Sequence, residues 1–417
     1  MSTGADAPAI PAGVVTENAA MKSAPFWRRE PYAVFFPLGI LLSWAGVGRW
    51  IEFVLSGRSE DYVAVYIFHS MTQIEGFLLS FALGFLFTMI PRRSGTWPPS
   101  VIEMAIGIAA PLATAVAAAN GQWALSQAGW MAACVLLVQF VVRRFASAAA
   151  RRRPPASFVW IPVALLLGLA GSVMTGVGGA LGASWMWLHN LGQQFVLQGV
   201  FIALVLGVGG LALPLMTRGV APPDASLSPR DLRGIFGHVL AAVLVVASFF
   251  VQLNVSVRAG CALRAAVIAA VLVLGAELWR LPTRAGLNRR VIWLAAWCLP
   301  AGFAFASIYP QYYQAGIHIS FISGFAMLTL GVSTHVILGH GDRSDLLNGQ
   351  PWQVAAILGL MIAATVCRVA TTVDMVHRNA WMVTAAMFFL AATGVWTVLL
   401  VPVLRTRAKG SAGTGLP

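Results

Sequence analysis

Residues 62–91 read YVAVYIFHSMTQIEGFLLSFALGFLFTMIP, a run holding one carboxylate, Glu75, one histidine, His69, and no lysine or arginine. A helix needs about 20 consecutive apolar residues to cross a bilayer core. This run exceeds that length and stops at a helix breaker, Pro91, followed at once by Arg92 and Arg93. Ionisable side chains within such a segment cost free energy in lipid and mark function by default.

The rest of the chain follows the same pattern. Of 417 residues, 59% are hydrophobic and 10% charged, and the mean hydropathy is +0.79. Soluble domains run about 45–50% apolar and about 25% charged, so a soluble enzyme, a disordered chain and a coiled coil are excluded. Apolar runs fall near 32–55, 62–90, 101–118, 123–142, 158–181, 186–213, 236–253, 261–279, 291–308, 312–338, 352–370 and 379–402. The fold class expected is therefore all-α, a polytopic protein of about twelve transmembrane helices with the lipid bilayer as its solvent. Short connections at 119–122 and 309–311 predict antiparallel hairpins.

The net charge of +13 raises nucleic-acid binding, but the arginines lie between the apolar runs rather than in a patch, which excludes it. With both termini placed in the cytoplasm, 21 of the 27 basic residues fall on the cytoplasmic side, as the positive-inside rule requires. Residues 1–30 and 405–417 are expected as cytoplasmic tails, the first disordered, around a single membrane domain at 31–404. Cys134, Cys261, Cys298 and Cys367 stand alone in apolar stretches and are expected to pack as small apolar side chains.

Three runs resemble one another. Gly76-Phe77 precedes Pro91, Gly199-Val200 precedes Pro214, and Gly324-Phe325 precedes Gly339-His340, each glycine standing 15 residues before the breaker. The glycines are 123 and 125 residues apart, four runs each time. Four-helix units at 31–142, 158–279 and 291–402, arranged about a pseudo-threefold axis, are expected from this period.

Each of the three runs also carries a histidine toward its outer end: His69, His189 and His318. Neutral imidazole ligates haem iron and copper, and histidines on facing helices are the usual means of holding a cofactor inside a bundle. Haem propionates need cationic partners, and Arg368 and Arg378 flank the last outer loop, with Arg258 in the loop after the seventh run. Gln73, Gln193 and Gln194 lie beside the outer histidines and can hydrogen-bond their rings. Glu75 is the deepest carboxylate and can carry protons or shape a polar pocket. His238, His335 and His340 form a second, inner set that reads as interfacial, with His340 the member to test as a metal ligand. No residue is singled out as catalytic.

Several pieces resemble the NnrS family of bacterial membrane proteins: Pro31-Tyr-Ala-Val-Phe-Phe-Pro-Leu-Gly39, His69 followed by Gly76-Phe77 and Phe87-Thr-Met-Ile-Pro91, the segment 198–209, and His318 with Leu338-Gly-His-Gly-Asp-Arg343. The second histidine and the glutamate of the family's His-x-His-Glu motif are replaced here by Met71 and Thr72. The resemblance implies haem b and copper, a role in the response to nitric oxide and nitrosative stress, an electron-transfer partner, and a bacterial inner-membrane location. The architecture is also similar to the haem–copper oxidase and nitric oxide reductase subunit. That likeness implies His69 and His318 as axial haem ligands, His189 as a copper or distal ligand, and arginines of the last outer loop at the propionates. The alternative is a secondary transporter of about twelve spans with no metal cofactor. Such folds repeat over six helices rather than four.

Overall fold

The computed structural model describes residues 21, 23–57, 61–148, 150, 152–226 and 228–413, with side chains described as far as Thr406. Among these there is no strand, and twelve helices are long and apolar enough to cross a membrane. They are α1 (Tyr32–Ser56), α2 (Tyr62–Ser94), α3 (Val101–Ala119), α4 (Trp123–Phe145), α5 (Ala156–Leu181) and α6 (Ala183–Arg218). The second half comprises α7 (Pro229–Asn254), α8 (Val257–Gly275), α9 (Leu287–Ile308), α10 (Pro310–His340), α11 (Trp352–Val373) and α12 (Arg378–Thr406). The chain is a polytopic all-α membrane protein.

Local signals set the helix ends. Ser100 and Glu103 form a reciprocal capping box at the start of α3. Gly57, Gly95 and Gly219 end α1, α2 and α6 in the left-handed conformation that glycine adopts without a Cβ penalty. Among the helix starts, the largest difference from the expected spans is at α7, which begins seven residues before the apolar run. There Ser228 accepts from the Asp231 amide and Pro229 occupies the first turn, so capping extends the helix through the polar residues Arg230, Asp231 and Arg233. At the other end of the chain, α12 continues as helix to Gly413, into the region expected as a tail. The described part of the expected N-terminal tail includes a helical turn at Phe26–Arg29 and a buried Glu30. Residues 1–20 and 414–417 lie outside the described residues.

Consecutive helices pack as hairpins, α3 on α4, α5 on α6, α7 on α8 and α11 on α12, while α1 lies against both α2 and α12. Side chains such as Val116, Leu166, Val243 and Leu274 are exposed on the outside. In water they would be a liability; against lipid they are the expected surface. Lipid offers no hydrophobic driving force for helix association, so close packing through small residues must supply it.

The three glycines marked by the sequence show how. Each lies in a π-helical turn: Thr72–Leu78 in α2, Phe195–Gly199 in α6 and Ile319–Ala326 in α10. A Cβ on Gly76 would meet Leu42 of α1 at 3.3 Å, one on Gly199 would meet Leu167 of α5 at 3.1 Å, and one on Gly324 would meet Leu299 of α9 at 3.2 Å. In each case the glycine lets a wide-turn helix approach a leucine of the helix before it. Wide turns of this kind recur at functional sites.

Candidate functional site

Two of the three outer histidines meet on one cavity. His69 of α2 and His318 of α10 both line a cleft of about 720 Å³ of unfilled space, its open mouth included, whose other walls include Ile74, Phe77, Phe321, Ile322 and Phe389. Arg368 of α11 lines the same cleft. A second, more polar cavity of about 1030 Å³ of unfilled space, open mouth included, shares His69, His318 and Arg368 as its wall and is faced by Gln193, Gln194, Gln198, Asn190 and Tyr313.

Hydrogen bonds fix the histidine rings. His69 Nδ1 lies 3.1 Å from the Gly46 carbonyl oxygen of α1, and His318 Nδ1 lies 2.7 Å from the Gln314 carbonyl oxygen of its own helix. A carbonyl oxygen can only accept, so in both rings Nδ1 carries the hydrogen. The neutral tautomer then leaves the Nε2 lone pair available as a ligand. Trp50 packs against His69 with ring centroids 5.8 Å apart, and against Tyr62 at 5.7 Å, which carries the aromatic wall to the surface. Arg378 Nη2 donates to the Tyr62 hydroxyl at 3.3 Å and lines neither cavity. Arg368 donates to Thr371 at 2.5 Å and keeps its remaining donors for the cavities.

His189 is not brought to this cleft. Its Nδ1 donates to the Thr175 carbonyl at 2.8 Å, and its backbone packs on Gly178 of α5. Its neighbours Gln193 and Gln194 do face the polar cavity, and Gln194 Oε1 is buried without a hydrogen-bond partner. Glu75 also points elsewhere. Its Oε1 accepts from Gln127 at 2.8 Å, and Gln127 in turn accepts from the Ser172 hydroxyl at 2.7 Å, a chain running to α4 and α5. Among the described residues no group of three or more His, Cys, Asp or Glu side chains could hold a metal ion. The cleft thus offers two imidazoles from different helices.

The inner histidines separate. His238 Nδ1 accepts from the Trp160 indole at 3.1 Å. His335 and His340 line a third cavity with Arg92 and Arg93, and His340 Nδ1 lies 3.3 Å from Glu30 Oε2. Burial alone would raise the Glu30 carboxyl, yet the bond to His340 and the charge of Arg92 hold it down to about 2.

One polar residue near the site escaped the sequence reading. Arg264 of α8 is fully buried, donating to Gln198 Oε1 at 2.9 Å and Ser248 Oγ at 3.0 Å, with its guanidinium 3.7 Å from the Phe249 ring centroid. Gln198 also donates to Tyr313 at 3.0 Å, which ties Arg264 to the polar cavity. Its position inside an apolar run was the available signal.

A family model described as NnrS protein matches residues 25–407. No curated protein matches the chain.

Proposed function

The chain belongs to the NnrS family, and from that membership and the shape of the cleft we propose that it is a haem b protein of the bacterial inner membrane acting in the response to nitric oxide. One observation carries the reading: His69 and His318 come from different helices to one apolar cleft, each with Nδ1 donating to a backbone carbonyl and Nε2 left as a ligand. The donor set, the aromatic and aliphatic walls and the adjacent arginine fit a haem. His69 and His318 would hold its iron and Arg368 would meet a propionate, with Arg378 beside Tyr62.

The backbone carbonyls hold each imidazole in one tautomer and orientation and raise its basicity as a ligand. Phe77, Phe321 and Phe389 exclude water from the same cleft. A bound haem would supply one-electron redox chemistry, and a diatomic ligand would reach its iron only where one of the two imidazoles gave way. The exposed Tyr62, packed on the buried Trp50, is where an electron-transfer partner would come closest to the cleft. The arginine distribution supports a topology with both termini in the cytoplasm, in which the histidine cleft would lie toward the outer face.

The test is a visible absorption spectrum of the purified protein, oxidised and reduced, with iron analysis and with nitric oxide added. A Soret band that is lost in both His69→Ala and His318→Ala supports the site. A colourless, iron-free protein overturns it in favour of a transporter without a metal cofactor.

A further inference from the structure

At the arginine-rich end of the helices, away from the His69–His318 cleft, lies the largest cavity described, about 1710 Å³ of unfilled space including its open mouth. Its polar wall holds Arg92, Arg93, Arg152, His335 and His340, and among the described residues no carboxylate lines it. Glu30 and Asp224 stand behind that wall, paired with Arg92 and Arg93 respectively. Arg152 makes no ion pair among the described residues. Three buried nitrogens of the lining side chains, Arg92 Nη1, Arg93 Nε and the His335 ring Nδ1, have no protein hydrogen-bond partner. Buried polar groups in native proteins are overwhelmingly satisfied, so donors left over on a cavity wall point to an acceptor brought by a ligand.

The other walls are apolar: Phe85, Met89, Leu211, Leu215 and Met216. Through Phe85, Val208 and Ala212 the cavity adjoins a second one of about 700 Å³ lined almost wholly by apolar side chains of α2, α6 and α10. A cationic mouth that leads into an apolar shaft matches one ligand shape. We propose that this cavity binds an amphipathic anion, its phosphate or carboxylate head held by the arginines and His335 and its apolar body lying between α2, α6 and α10. Arginine suits the head because its fork bonds two oxygens at once. The walls suit the tail because apolar surface leaves water there. The site stands apart from the histidine cleft and does not depend on haem.

The experiment uses the full chain in phosphatidylcholine nanodiscs and three probes: oleoyl lysophosphatidate, monoolein, which has the same acyl chain without the phosphate, and glycerol 3-phosphate, which has the head without the chain. Equilibrium retention of radiolabelled lysophosphatidate should be at least about tenfold tighter than that of either other probe. The double variant Arg152→Gln/His335→Gln removes no ion pair and should weaken retention about tenfold, with the melting temperature recorded alongside. Should the double variant fail to fold, the single Arg152→Gln variant carries the same expectation. Displacement by phosphatidylglycerol blended into the disc identifies a bilayer lipid as the source. Lack of displacement by phosphatidylglycerol identifies a soluble amphiphile. Equal retention of monoolein, equal retention of glycerol 3-phosphate, or unchanged binding in a folded variant overturns the proposal.

Discussion

His69 donates its Nδ1 hydrogen to the carbonyl of Gly46, 3.1 Å away on the preceding helix. The bond needs α1 and α2 at close range, and that range depends on Gly46 itself: a Cβ there would overlap Thr72 Oγ1 and Gln73 Nε2. Gly46→Ala is therefore expected to push the two helices apart, cost about 1–3 kcal/mol as overpacking does, and loosen the His69 ring. The expected readout is a lower melting temperature together with a shifted or diminished Soret band. A variant with unaltered stability and spectrum would contradict the packing argument.

Gln198 bridges Arg264 and Tyr313. Gln198→Ala strips a buried guanidinium of an acceptor, and hydrogen bonds to charged groups are worth about 1.5–3 kcal/mol. A loss of that size is expected in denaturant titration. Arg264→Met is expected to cost less, because replacing a buried charge by an apolar group of similar length removes the need for the partners altogether. The reverse order would show that Arg264 is needed for more than its hydrogen bonds.

Glu75 holds Gln127, which is held by Ser172. Glu75→Gln keeps the size and an oxygen acceptor and is expected to leave stability within about 1 kcal/mol, whereas Glu75→Ala leaves the Gln127 amide unpaired at a cost of about 1–3 kcal/mol. Because Glu75 does not line the His69–His318 cleft, both variants should retain any haem. Loss of haem in Glu75→Gln would place the residue in the site after all.

Glu30 is 2% exposed and paired with Arg92 at 2.8 Å. Its carboxyl falls from 4.5 to about 2 on folding, so the unfolded chain binds the proton more tightly. The stabilisation is fully present above about pH 4.5 and is lost as the pH falls toward 2, amounting to about 3 kcal/mol at roughly 1.4 kcal/mol per pH unit. Glu30→Gln is expected to melt lower at pH 7 and to show a smaller further loss between pH 4.5 and 2 than the unaltered chain. Parallel acid profiles would refute this.

Particular residues show how much of the site could be read in advance. His69 and His318 stand 7 and 6 residues before their glycines, while His189 stands 10 before Gly199. Three or four residues more place His189 about one helical turn further out, about 5 Å. It bonds to Thr175 rather than facing the cleft. The spacing held that signal, but its consequence depended on the π-helical turns between each histidine and its glycine. Arg264 was not singled out, because charge counting cannot tell a guanidinium at the interface from one turned inward onto Phe249.

The chain's own order of residues determined the twelve apolar runs, the antiparallel hairpins and the equivalence of Gly76, Gly199 and Gly324, because length, hydropathy and spacing are one-dimensional quantities. The tertiary structure alone decided which side chains meet. A π-helical turn changes the number of residues per turn and so rotates everything beyond it, and a rotation of about 100° per residue separates a ligand from a packing residue. It turned His69 and His318 into one cleft, sent Glu75 to Gln127, and left Arg92, Arg93 and His335 with unpartnered nitrogens on a single wall.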